Sequence, residues 1–282
     1  MLGSNTTREP LKRVFITGGA SGLGRAIALR YAQEGYQVCI GDVNDERGQE
    51  VLAELLALGN DACYLPCDVT IMQDLENVQN TLTERWGGVD IVVNNAGIGG
   101  TSGPIDEVPL DDWDWVLDVN LKGVMRGIRA FTPLFKKQKS GYFVNIASAA
   151  GLFSPAHMGA YNAAKAGVIS LSESTSYELA PFNVGTTVVC PAFFQTNLME
   201  NMKFTVEGVG ESVDRLMAKS SVSAEDIAEG IFNAVNEKQF MVLPHKMVRQ
   251  QWIFKRNKPE EFAELMKVEG LKLAQKTRQS NS

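Results

Sequence analysis

A chain of 282 residues with 44% apolar and 21% charged side chains has material for a large core and enough charge to stay in solution. This excludes a disordered tail, a fibre and a disulfide-stapled miniature. Its 27 basic and 33 acidic residues give a formal net charge of −6, and no stretch is dense enough in Lys and Arg to track phosphates, which excludes nucleic acid as a partner.

The opening segment, 1–11, is polar and lacks the apolar stretch of a signal peptide. It is expected to be flexible, and the protein cytoplasmic. No run of about 18 apolar residues follows, so no membrane-spanning helix is expected. From there β-branched runs alternate with segments of helical period. Strands are predicted at 14–16, 36–40, 62–65, 89–93, 142–146, 185–189 and 240–243, and helices at 22–34, 45–58, 72–86, 111–137 and 161–179. In the first helix Ile27, Ala28 and Tyr31 share one face. The 89–93 run is apolar without alternation, as parallel strands covered on both faces are. No linker, repeat or low-complexity stretch interrupts the order. The pattern predicts one α/β domain over 12–244, a doubly wound seven-stranded parallel sheet with helices on both faces. Ligands of such sheets sit beyond the carboxyl ends of the strands.

After the first strand, Thr17-Gly18-Gly19-Ala20-Ser21-Gly22-Leu23-Gly24 forms a glycine-rich turn into a helix. Gly18, Ser21, Gly22, Leu23 and Gly24 are placed to let a pyrophosphate approach the backbone and the free N–H groups of the helix start. Asp42 ends the second strand, 18 residues after Gly24. A carboxylate there accepts hydrogen bonds from adenosine ribose hydroxyls and repels a 2′-phosphate. Val43, Asn44 and Asp45 offer no cation to hold that phosphate, so NAD is favoured over NADP. Asp68 and Val69 follow the third strand, and Asn95, Ala96 and Gly97 the fourth. These positions suit an adenine edge or a second ribose, and read equally as turn chemistry. Cys63 and Cys67 lack a second pair of ligands nearby, and Cys39 and Cys190 end β-branched runs. No metal site is expected.

Tyr161 and Lys165 are four residues apart on a helix, hence on one face. A free tyrosine is a poor base at neutral pH, and a nearby ammonium favours its phenolate. Ser148, just past the fifth strand, can meet the same substrate oxygen.

Together these residues resemble the short-chain dehydrogenase/reductase family in its classical form. The resemblance spans 12–243 and rests on the turn at 17–24, Asn94-Asn95-Ala96-Gly97, Asn120, Ser148 and Tyr161-Asn162-Ala163-Ala164-Lys165, in that order. It implies a Rossmann-type single domain, a catalytic tetrad of Asn120, Ser148, Tyr161 and Lys165, and a homodimer or homotetramer. Tyr161 would be the acid/base, Ser148 would hold the reacting oxygen, Lys165 would bind the nicotinamide ribose and lower the phenol pKa, and Asn120 would hold a water. After the sixth strand the family has Pro-Gly and then Thr, where this chain has Pro191, Ala192 and Thr196. Ala192 adds a methyl where backbone and nicotinamide meet, and Thr196 remains at a position similar to the carboxamide-binding one.

A substrate lid is expected at 192–220, carrying Phe193, Phe194, Leu198, Met199, Met202 and Phe204. With Leu152, Phe153 and Met158 these predict an apolar pocket, and a lipid-like, terpenoid, steroid or aromatic secondary alcohol or ketone as substrate. His157 lies in the same loop and is a candidate substrate contact. The amphipathic extension at 245–282 is expected to cover the pocket or dock on a neighbouring subunit rather than lie on a membrane, because acidic Glu260, Glu261 and Glu264 follow its short basic stretch. Two other classes compete: a non-catalytic NAD-binding sensor or scaffold, which has no use for the tetrad, and a nucleotide-sugar epimerase, which needs a larger carboxy-terminal domain.

Overall fold

The structure, a computed structural model, describes residues 12–205 and 209–280. The segment 1–11, expected to be flexible, lies outside them. The first half alternates β1 (Arg13–Thr17), α1 (Gly22–Gln33), β2 (Gln37–Asp42), α2 (Asp45–Ala57), β3 (Ala62–Pro66), α3 (Met72–Trp86) and β4 (Ile91–Asn94). After α4 (Leu110–Leu117) and α5 (Gly123–Gln138) come β5 (Gly141–Ile146), α6 (Ala149–Phe153), α7 (Gly159–Leu179) and β6 (Val184–Val189). The chain finishes with α8 (Val209–Ala218), α9 (Ala224–Asn236), β7 (Met241–Val242), α10 (Lys246–Asn257) and α11 (Pro259–Ser280).

All seven strands pair in parallel in the order β3-β2-β1-β4-β5-β6-β7, as the pattern predicts. Winding reverses between β1 and β4, and the crevice at that switch point is where ligands of such sheets bind. Alternate residues of each strand feed two cores. Val14 and Ile16 face Ile27 and Tyr31 of α1, Val51 and Leu55 of α2, and Ile227 and Ile231 of α9. Phe15 faces Leu75, Val78 and Leu82 of α3, Phe131 and Phe135 of α5, and Val168 of α7. Each such fully buried side chain contributes about 1.5–3 kcal/mol, and stacking of Phe15 on Phe131 at 5.4 Å adds geometry to area.

Helices α6, α8, α9, α10 and α11 add to the five predicted ones, and three departures stand out. The helix expected over 111–137 is divided by a π-helical turn, Asp118–Lys122, a wide turn of the kind found at functional sites. It turns Asn120 fully inward. α9 was not predicted, although Ser223 and Asp226 form a complete capping box at its start, with bonds of 2.9 and 3.0 Å. A short ladder, Gly100–Ser102 on Met202–Phe204, joins the lid to the body outside the main sheet.

A buried polar chain fixes α7 on the sheet. Asn94 Nδ2 donates to Asn145 Oδ1 at 2.8 Å, Asn145 Nδ2 to Ser172 Oγ at 2.9 Å, and Ser172 Oγ to the Val168 carbonyl at 2.7 Å. α7 carries Tyr161 and Lys165, so this chain sets where they stand. Among the described residues no helix is long and apolar enough to cross a membrane.

Candidate active site

The turn after β1 is built by close approaches. Gly18 holds φ +63°, and a side chain on it would meet Ala96 Cα at 2.8 Å. A side chain on Gly24 would lie 2.0 Å from the Gly18 carbonyl oxygen, so only glycine lets α1 start this near the turn. Ser21 leaves the first N–H groups of α1 without a side-chain cap, and no acid lies in that first turn. Unpaired donors at a positive dipole end fit a phosphate-bearing ligand.

Neighbouring strand ends brace this turn. Asn95 Nδ2 donates to the Thr17 and Gly18 carbonyls at 3.0 Å each, and Thr17 Oγ1 accepts from the N–H groups of Asn95 and Ala96. The Asn95 amide nitrogen is thus committed to the backbone of the turn. Asp42 accepts from the Ala20 N–H at 3.0 Å and the Asn44 N–H at 3.1 Å. Asp68 accepts from the backbone and hydroxyl of Thr70 at 2.8 and 2.7 Å.

A cleft of about 1060 Å³ runs over these residues, lined by Gly18, Ser21, Gly22, Leu23, Asp42, Asp68, Val69, Asn95, Ala96, Gly97, Tyr161, Lys165, Pro191 and Thr196. Of the predicted cofactor residues all but Gly24 line it. The size and polarity of the cleft suit a dinucleotide.

The four tetrad positions converge at its inner end. Ser148 caps α6, accepting from the Ala150 N–H at 3.1 Å. Its hydroxyl also donates to the Pro191 carbonyl at 3.4 Å. Lys165 is buried and donates to the Ile146 carbonyl at 2.9 Å. Asn120 pairs both amide groups with Ile98, accepting from its N–H and donating to its carbonyl at 2.8 Å each. A side chain on Gly97 would meet Asn120 Oδ1 at 2.9 Å and Lys165 Nζ at 3.4 Å, which puts both groups beside the same face of that glycine. Burial pushes the Tyr161 phenol up to about 12, with the Ser148 hydroxyl acting the other way. Burial also pulls the Lys165 ammonium down to about 8.

A second cavity of about 300 Å³ opens beside the first, and the two share Tyr161, Pro191, Phe194, Thr196 and Leu198. Its wall is apolar: Phe153, Met158, Ala192, Phe193, Met202 and Met217, with Met247, Val248, Phe262 and Met266 from α10 and α11. The carboxy-terminal helices therefore fold back over the pocket side of their own chain. Phe262 packs on Phe153 at 5.7 Å and Phe254 at 6.2 Å, and Lys255 Nζ reaches the Leu152 carbonyl at 2.5 Å. Of the predicted substrate contacts, Ser148, Phe193 and Phe194 line this chamber. His157 is not among its described lining residues; it holds φ +66° and accepts a backbone bond from Gly103. The side chain of Met199 lies outside those described.

Two groups escaped the sequence reading. Arg47 and Glu200 border the Asp42 end of the cleft as an ion pair, and His245 accepts from the Ala192 N–H at 3.2 Å. Arg47 lay one turn into a helix, and His245 far along the chain, so neither stood beside a recognisable motif. The four cysteines are free and buried.

A sequence profile of the short chain dehydrogenase family matches residues 12–207. The chain is 33% identical over 235 residues to the probable oxidoreductase EphD of Mycobacterium tuberculosis, covering 80% of this chain and 40% of EphD. It thus spans about two fifths of the length of that relative. It is 36% identical over 191 residues to the 2,5-dichloro-2,5-cyclohexadiene-1,4-diol dehydrogenase LinX of Sphingobium indicum, covering 68% of this chain and 76% of LinX. A short chain dehydrogenase/reductase from Burkholderia phymatum, solved in complex with NAD, superposes with a TM-score of 0.83 at 30% identity, covering 90% of this chain and 96% of that one.

Proposed function

This chain belongs to the short-chain dehydrogenase family, and from that premise we propose that it interconverts an apolar secondary alcohol and its ketone with NAD. The carrying observation is that the polar cleft and the apolar chamber meet at Tyr161. A cofactor in one and a substrate in the other would share that phenol.

The turn at 17–24 and the start of α1 would hold the pyrophosphate, Asp42 the adenosine ribose, and Lys165 the second ribose. Bound there, NAD supplies a hydride acceptor. In the oxidising direction the Tyr161 oxygen takes the hydroxyl proton, and Ser148 Oγ holds the same oxygen of the substrate. The Lys165 ammonium favours the phenolate, and Asn120 holds a water beside Gly97. Positioned proton transfer of this kind contributes about 10²–10⁴-fold.

The chamber supports the substrate class. Met158, Met202, Met217, Met247 and Met266 line it with Phe153, Phe193 and Phe262, a wall that adapts to irregular apolar shapes. The name of LinX, a diol dehydrogenase, agrees with chemistry at a carbon bearing a hydroxyl. The test is a reduction assay with NAD and NADP over secondary alcohols of matched size. Faster turnover of the apolar members with NAD is expected. Equal rates on a sugar alcohol would overturn the substrate class, and no turnover of any member, with NAD still bound, would point to a sensor.

A further inference from the structure

The preference for NAD rests, in the sequence, on Asp42 and on the lack of a cation in the three residues after it. The fold adds a cation at that end. Arg47, in the first turns of α2, lines the cleft together with Asp42, Val43 and Asn44. A guanidinium presents a planar fork that matches phosphate geometry, so an unengaged Arg47 would draw a 2′-phosphate toward the ribose site.

Arg47 is engaged. Its Nη1 and Nη2 donate to the two carboxylate oxygens of Glu200 at 2.9 and 3.2 Å. Glu200 belongs to the 3-10 turn Asn197–Asn201, which also lines the cleft, and Asn197 Nδ2 donates to its Oε1 at 2.6 Å. Arg47 and Asn197 together hold the Glu200 carboxyl below the ordinary carboxylate range. Glu200 also lines the cleft itself, so the ion pair stands where a phosphate could compete for the guanidinium.

We propose that Glu200 determines cofactor choice by occupying the fork of Arg47, so that this cation, five residues after Asp42 in the cleft wall, is withheld from NADP. The inference rests on the reading of the cleft as a dinucleotide site with an NAD preference. Both partners are part-exposed, at 42% and 47%, so the pair is exchangeable with solvent and with a competing phosphate.

The test is equilibrium binding of NADH and NADPH, followed by nicotinamide fluorescence, in the full chain and in Glu200→Gln, Arg47→Gln and the double variant. Glu200→Gln is expected to move the NADPH-to-NADH affinity ratio about tenfold toward NADPH at low salt. The shift should shrink as salt rises and vanish in the double variant. An unchanged ratio in Glu200→Gln, or a shift that survives loss of Arg47, overturns the proposal. The wild-type ratio tests the underlying reading separately: tighter NADPH binding by the unaltered chain overturns the NAD preference, whatever Glu200→Gln does to it.

Discussion

The ammonium of Lys165 stands 5.7 Å from the centre of the Tyr161 ring, and its hydrogen bond goes to the Ile146 carbonyl rather than to the phenol. The two residues share a helix face, yet burial moves them toward neutrality from both sides, the phenol up to about 12 and the ammonium down to about 8. Spacing alone anticipates only the attraction between cation and phenolate; desolvation opposes it in the protein without ligand.

That opposition is measurable as stability. A Lys165 pKa near 8 in the folded chain, against 10.5 ordinarily, means the folded state releases its proton first. The favourable contribution is complete above pH 10.5 and is lost as pH falls through 8. Chemical denaturation of wild type and Lys165→Met at several pH values should show the wild type gaining about 3 kcal/mol on the variant between pH 8 and 10.5. A constant difference across that range would mean the ammonium is not desolvated.

Tyr161→Phe removes only the hydroxyl. If that oxygen moves the proton, kcat for an identified alcohol should fall by about 10²–10⁴-fold, and the ring should still fill its place between cleft and chamber. Steady-state kinetics beside a thermal melt separates the two effects. Near-normal kcat would remove Tyr161 from the proton-transfer role.

Gly24→Ala tests the turn. Its added methyl would sit 2.0 Å from the Gly18 carbonyl oxygen and 2.6 Å from Asn95 Nδ2, and the obstruction is backbone, which cannot swing away. A loss of about 1–3 kcal/mol is expected. NADH affinity should fall at least tenfold, because the strain displaces the N–H groups at the start of α1. Calorimetry and fluorescence titration would check both, and unaltered affinity would place the ligand elsewhere.

The sheet was legible because each strand is an apolar run that ends on a polar turn, as at Val38 to Asp42, and the site was legible because those turns are where its residues gather. Less visible was what arises from the packing between distant segments. Asn95 lines the cleft as its position suggests, but its amide nitrogen also braces the carbonyls of Thr17 and Gly18, which no local pattern shows. Nothing local marks Asn120 for inward burial, which comes with the π turn between α4 and α5. α9 was overlooked although Ser223, Asp226, Ile227 and Ile231 carry both a cap and a buried face.

His245 gives the replacement of glycine by Ala192 a structural setting. Nδ1 accepts from the Ala192 N–H, so Nε2 carries the hydrogen of the neutral ring, and Nε2 is buried without a partner among the described residues. Burial lowers the pKa from 6.5. Stability from this group is present above pH 6.5 and is lost as pH falls through the lowered folded value. His245→Gln, which cannot be protonated there, should lose less stability than wild type between pH 7 and pH 5. Parallel denaturation curves for the two proteins across that interval would show that the ring is solvated.

Phe262 decides whether the carboxy-terminal helices are part of the pocket. The residue is 7% exposed and packs on Phe153 and Phe254 while lining the chamber with Met266. Phe262→Ala removes a buried ring between α11 and α6, and core truncations of this kind cost about 3 kcal/mol or more. Not all of that loss need appear, because Lys255 still ties α10 to the Leu152 carbonyl. The informative readout is therefore selectivity. An enlarged chamber should raise kcat/KM for a bulkier apolar alcohol relative to a smaller one, and Leu at the same position should restore part of the original ratio. Stability lost with the substrate ratio unmoved would make α11 a brace outside the pocket; a moved ratio makes it a wall.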